Sequence, residues 1–214
     1  MKKTALVSTL VLAATAAMPA ISQAETTANI GWVSDYIFRG ILQAPSSAYG
    51  GIDYTQGGFY LGTWGADVDQ GLETDLYLGY GGGDKVTWKV GYTGYFYTDD
   101  WDNTYNEING GIGVGIFAFD FAVGNHDNVT SGFKEDYTFA SITLSPKMGP
   151  YYKIGSFGKD FTGSYFELGY TWSFEDQGID LSFTFDHSSD LAVDANGGEN
   201  AIVFGIKKNF TLSK

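Results

Sequence analysis

Cysteine is absent from the 214-residue chain, arginine occurs once, histidine twice and proline only 4 times. No cysteine means no disulfide framework, no thiolate metal site and no cysteine nucleophile. A lone arginine, Arg39, in a chain of formal charge −13 leaves no basic face for nucleic acid. Beyond residue 24 no apolar run approaches the ~18–20 residues of a helical membrane span. No flavin, nicotinamide or haem signature is present, so no cofactor is expected. Gly81-Gly82-Gly83-Asp84-Lys85 is glycine-rich without the phosphate-loop spacing and reads as a turn.

Glycine (30), tyrosine (15), phenylalanine (16) and tryptophan (5) are what the chain has in quantity. Disordered chains lack aromatics at this density. The pairing of abundant glycine with abundant aromatics and little proline predicts many strands joined by tight turns.

Residues 1–24 read as a cleaved secretory leader. Lys2 and Lys3 form a basic start, Ala5 to Ala17 an apolar stretch, and Ser22-Gln23-Ala24 a small-x-small cleavage pattern before Glu25. The apolar stretch is too short to span a bilayer as a helix. Residues 25–214 then form one domain, exported to a bacterial envelope.

That domain alternates between apolar and polar residues nearly throughout, the period of strands with two unlike faces. Val86, Trp88, Val90, Tyr92 and Phe96 share one face of their segment; Phe166, Leu168, Tyr170, Trp172 and Phe174 share one of theirs. About twelve such segments can be placed, near 28–39, 49–55, 58–66, 73–81, 85–97, 105–115, 118–125, 135–144, 150–157, 163–174, 179–187 and 200–211. The apolar parity flips near Ile116, which predicts a tight hairpin there. One face is almost wholly apolar; the other is glycine, serine, threonine and asparagine with isolated charges. Such a polar, glycine-rich face suits an interior better than the surface of an acidic soluble protein. Aromatics near segment ends (Trp64, Tyr80, Tyr97, Tyr137, Tyr152 and Trp172) suggest interfacial girdles. The expected fold is all-β: a single antiparallel transmembrane β-barrel of about 12 strands, up-and-down in topology, closed because a bilayer cannot hydrate free backbone amides. A soluble sandwich is the alternative. Connections after even strands should be short turns, and those after odd strands, such as Gly40–Ala48, longer surface loops.

The run Asn29-Ile30-Gly31-Trp32-Val33-Ser34-Asp35-Tyr36-Ile37-Phe38-Arg39-Gly40, followed by Gly50–Tyr54 and Gly58–Gly65, resembles the opening blocks of the TorF-family porins of Gram-negative bacteria. The resemblance covers residues 29–65 and implies an outer-membrane porin without naming a solute. The chain departs from the common aromatic end of such barrels, since Thr211-Leu212-Ser213-Lys214 follows Phe210.

Strand parity assigns Asp35, Asp53, Asp75, Glu107, Asp120, Glu167 and Asp180 to the inward face, with Arg39, Lys89, Lys153 and Lys207. These eleven residues are the candidate pore lining or lumen network. Lipid-facing Lys or Arg would cost ~2–4 kcal/mol at mid-depth, so the inward side is the cheaper one. Acidic loop residues Asp67, Asp69, Asp99, Asp100 and Asp102 add to the surplus, which would favour cations over anions. The opposing expectation is that the interior charges pair off and seal the barrel. Such a closed barrel would act through its acidic loops in adhesion, envelope integrity or partner binding. Asp99-Asp100-Trp101-Asp102-Asn103 lacks the spacing of a calcium loop, so no metal site is expected.

A rim enzyme is the third possibility, resting on His126 and His187. In Asp186-His187-Ser188 neighbours point to opposite faces of a strand, so these three cannot form a relay among themselves. The chain is therefore expected not to be an enzyme. It reads as an outer-membrane porin passing small neutral or cationic solutes. Outer-membrane lipids, lipopolysaccharide and the barrel-assembly machinery are its expected partners, and its oligomeric state is left open.

Overall fold

The computed structural model describes residues 24–128, 132–189 and 200–213. The leader assigned to residues 1–24 lies outside the described residues apart from Ala24. Twelve strands follow in order: β1 (Glu25–Phe38), β2 (Ile41–Gln56), β3 (Phe59–Asp67), β4 (Leu72–Gly83), β5 (Val86–Tyr97) and β6 (Tyr105–Val114). The second half comprises β7 (Phe117–Asn128), β8 (Phe133–Leu144), β9 (Tyr151–Lys159), β10 (Ser164–Phe174), β11 (Ile179–Ser189) and β12 (Asn200–Ser213). Each pairs antiparallel with its sequence neighbour, and β1 pairs with β12 to close the barrel. The fold is thus a closed, up-and-down, all-antiparallel barrel of 12 strands.

The period-2 pattern explains the wall. Ile30, Ile52, Leu76, Leu78, Val90, Ile108, Ile112, Phe119, Ile142, Ile154, Phe204 and Ile206 alternate outward and lie exposed. Water would penalise so continuous an apolar surface, whereas a barrel in lipid requires one. The parity flip at Ile116 is a two-residue turn, Gly115–Ile116, with Val114 paired to Phe117 and Gly115 at φ 63°.

Abundant glycine and abundant tyrosine share one structural cause. Tyr77 on β4 leans across Gly62 on β3, and its hydroxyl donates to Asp53 on β2 at 2.5 Å. Tyr137 on β8 crosses Gly124 on β7 in the same way and donates to Glu107 on β6 at 3.0 Å. A Cβ at Gly62 would sit 2.6 Å from the Tyr77 ring, and one at Gly124 would sit 2.4 Å from the Tyr137 ring. Inward glycines are therefore seats for tyrosine rings, as well as parts of turns.

Two expectations are corrected here. Trp64 and Tyr137 are buried inside the barrel, and Tyr97 packs on Trp101 at 5.2 Å, so these three are not girdle residues. Only Tyr80, Tyr152 and Trp172 of the expected girdle face outward. The segment Gly40–Ala48 is not a surface loop either. Strand β2 begins at Ile41, and Arg39–Gly40 is the whole connection. Asp67, expected in a loop, ends β3 and pairs with Leu72.

Candidate functional site: a hairpin inside the barrel

The β1–β2 hairpin outruns both of its neighbours. Pairing of β1 with β12 stops at Val33–Gly205, and pairing of β2 with β3 begins at Tyr49–Ala66. Between these points the strand ladder pairs the two arms only with each other. The bend lies at Ser34 and Ser46, whose pairing is missing from the ladder. Ser46 has φ 62°, an uncommon conformation for a residue with a side chain, and it follows Pro45, which has no N–H to donate. The Ser34 hydroxyl accepts the Phe204 backbone N–H at 3.0 Å, replacing the strand partner that β12 loses there.

Beyond the bend the hairpin runs into the lumen. Tyr36 is buried, donates to Glu73 Oε1 at 2.8 Å and packs against Trp64. Phe38 packs against Tyr95 of β5. Arg39, at φ 52° in the turn, makes a two-pronged bond to Glu107 on β6, at 2.7 and 3.0 Å. Its guanidinium also stacks 4.1 Å from the centre of the Phe139 ring on β8. Strands β6 and β8 are each five places from β1, in opposite directions round the ring, so the tip reaches the opposite wall. Side-chain exposure is 9% for Arg39 and 1% for Glu107. Tyr137 and Asn109 also donate to Glu107, filling the remaining carboxylate positions. A forked guanidinium–carboxylate pair with satisfied oxygens is the arrangement in which a buried charge pair holds best.

All four inward bases have an acidic partner. Besides Arg39–Glu107, Lys89 lies 3.5 Å from Asp120, Lys153 lies 3.8 Å from Glu167 and Lys207 lies 3.3 Å from Asp180. Asp35, Asp53 and Asp75 have no basic partner within ion-pair distance among the described residues. Two acids outside the expected set, Glu73 and Asp186, join them on the buried side. Parity could have found both, since Glu73 shares a face with Asp75 and Asp186 with Asp180. Asp35 lies on the inserted hairpin rather than on the wall.

A cleft of about 290 Å³ remains on the flank of the hairpin nearest β11 and β12, with Asp35 and Asp186 among its lining residues. The hairpin thus divides the outer part of the lumen unequally. Aromatic rings and the Arg39–Glu107 pair fill one side; the other keeps a cleft with two carboxyl groups.

The acidic loops separate into two kinds. Asp69, Asp99 and Asp100 are exposed. Asp102 instead bonds His126 Nε2 at 3.0 Å, and the other ring nitrogen faces Glu135 at 3.3 Å. Burial pushes the Asp102 carboxyl up, but bonds from His126, the Asn103 N–H and Tyr105 outweigh it and hold it below the usual aspartate value. The His126 ring stacks on Tyr105 at 4.1 Å, so this cluster ties the 98–104 loop to the barrel. His187 faces out, with Nδ1 3.0 Å from Asn200, while Asp186 and Ser188 are buried on the opposite face. Among the described residues no group of three or more His, Asp or Glu side chains could hold a metal ion.

Comparison with solved structures supports the architecture. A membrane protein studied for its in-meso crystallization aligns over 89% of this chain and 85% of its own, with TM-score 0.56 and 12% identity. An outer-membrane channel of Pseudomonas putida F1 aligns over 88% of this chain and 95% of its own, at TM-score 0.49 and 10% identity. For OccAB2 of Acinetobacter baumannii the figures are 79%, 56%, 0.45 and 15%. At these identities the likeness concerns the fold alone. No curated protein matches the sequence. A family model matches residues 16–196, most of the chain, and the protein belongs to that family, Gcw_chp, described as bacterial proteins of unknown function.

Proposed function

We propose that the protein is an outer-membrane channel for small neutral or cationic solutes, narrowed by its own first hairpin. The carrying observation is the charge balance inside the barrel: among the described residues every inward base has a carboxylate partner, while Asp35, Asp53, Glu73, Asp75 and Asp186 have no base within ion-pair distance. Lumen charges of one sign concentrate counter-ions and exclude co-ions. The outward apolar band suits a bilayer, and a closed barrel leaves no backbone edge for lipid to contact. The resemblance of residues 29–65 to TorF-family porins points the same way. Outer-membrane lipids, lipopolysaccharide and the assembly machinery are the partners such a barrel would meet.

A second reading, the sealed barrel acting through its outer loops, is favoured by the inserted hairpin and by the Arg39–Glu107 pair. Single-channel recording of the purified protein in a planar bilayer under a KCl gradient separates the two. The channel reading predicts discrete conductance steps with a reversal potential on the potassium side. Silence from folded, inserted protein would leave the sealed barrel; reversal on the chloride side would contradict cation preference.

A further inference from the structure

The point where the hairpin leaves the wall is also a break in the wall. Strand β12 begins at Asn200, yet β1 pairs with it only from Gly205 onward. The Ser34 hydroxyl takes up the Phe204 N–H, and residues 200–203 have no partner on the β1 side in the strand register. The cleft described above lies along this seam. Its lining joins Asp35, Ile37 and Leu42 of the hairpin to Asp186 of β11 and to Asn200 and Ile202 of β12.

Two of those residues show where the cleft leads. Asp186 is on the lumen side, with 4% of its surface exposed. Ile202 is on the lipid side of the wall, with 54% exposed. The lining of one cleft therefore includes both a lumen-side residue, Asp186, and a lipid-side one, Ile202. That lining combines two carboxyl groups with the apolar side chains of Ile37, Leu42 and Ile202. Asp186 is buried against this cavity, and among the described residues no base lies within ion-pair distance of it, Lys153 attracting it only from farther off. Asp35 receives only the Ser34 hydroxyl, at 3.1 Å. Among the described residues, no lysine or arginine lines the cleft. A buried carboxylate without a close cation is costly, and a cation beside it removes much of that cost.

We propose that this seam is a lateral binding site for small cationic amphiphiles. Their ammonium or guanidinium head would lie between Asp35 and Asp186, and their short apolar body against Leu42 and Ile202. The geometry excludes anions by charge, and it disfavours fully hydrated inorganic cations because half the lining offers them nothing. The site rests on the membrane-barrel part of the function proposed above, but not on conduction.

The test is isothermal titration of the folded protein in zwitterionic micelles with n-hexylammonium, using n-hexanol and hexanoate to measure partitioning into micelles. Saturable one-site binding of hexylammonium, absent for both controls, is the expected result. Asp186→Asn should weaken it at least ten-fold. If that variant does not fold, Asp35→Asn, on the more accessible arm, should weaken it in the same direction. Hexylammonium that merely partitions like hexanol would overturn the proposal, as would unchanged binding in the variants. Planar-bilayer recording of the same preparation keeps the two readings apart. Binding in a silent barrel would support the site and sink the channel; conduction without binding would do the reverse.

Discussion

The barrel wall and the hairpin that leaves it are written in the same alternating code, yet they end in opposite surroundings. Along β4 and β5, outward positions such as Leu76, Leu78, Val90 and Tyr92 lie exposed on the apolar band. Along the hairpin, Tyr36 and Arg39 are enclosed by side chains from across the lumen. Alternation settles which face of a strand is apolar. It does not settle whether the strand stays in the sheet. That second decision falls to a few residues at the bend and to one long-range ion pair.

The hairpin is held by a few long-range side-chain contacts, with the charged one at its tip, whereas the wall is held all along its ladder, and substitutions should reveal this difference. The largest effect is expected at the latch. Glu107→Ala leaves the Arg39 guanidinium buried without its partner, a change that costs ~3–5 kcal/mol in comparable sites. Unfolding in urea followed by tryptophan fluorescence would measure it. Asp180→Ala, which removes the partner of Lys207 in the wall, should cost less, because Lys207 keeps 15% exposure and can turn toward water. Equal losses would mean that the tip is no more dependent on its pair than the wall is.

A smaller effect should distinguish seats from spacers within the wall. Gly62→Ala puts a methyl group 2.6 Å from the Tyr77 ring and should cost ~1–3 kcal/mol through overpacking. Gly82→Ala meets nothing within 4 Å and should stay within about 0.5 kcal/mol of the parent. The same urea titration reads both. Similar stabilities would contradict the role given to inward glycines.

How much of this was legible in the sequence follows from the same contrast. Period 2 and the parity flip at Ile116 lead to a barrel of about 12 strands with a hairpin at that point, and the strand register bears both out. The abundance of glycine and tyrosine was visible, but its cause was not. A ring crossing Gly124 to reach Glu107 joins three strands, and no local window contains all three. The hairpin is hidden from sequence for a related reason. Pro45 and two serines look like loop residues, so 40–48 reads as a surface loop. Those residues mark a bend inside a strand, and the direction of the bend is set by contact with Glu107, 68 residues away from Arg39. Trp64 and Tyr137 read as girdle residues because strand ends predict depth without predicting the lumenal partners that draw them in.

In the proposed channel the hairpin would occupy the conducting path and narrow it. Replacing residues 34–46 by an Asn-Gly turn would close β1 onto β2 at the last wall pair, Val33–Ser47, with a two-residue loop suited to a hairpin. Single-channel conductance of this variant, measured beside the parent protein in the same bilayer, should rise several-fold while the reversal potential stays on the cation side. Conductance unchanged from the parent, in protein with intact barrel folding, would place the hairpin outside the path and contradict the account.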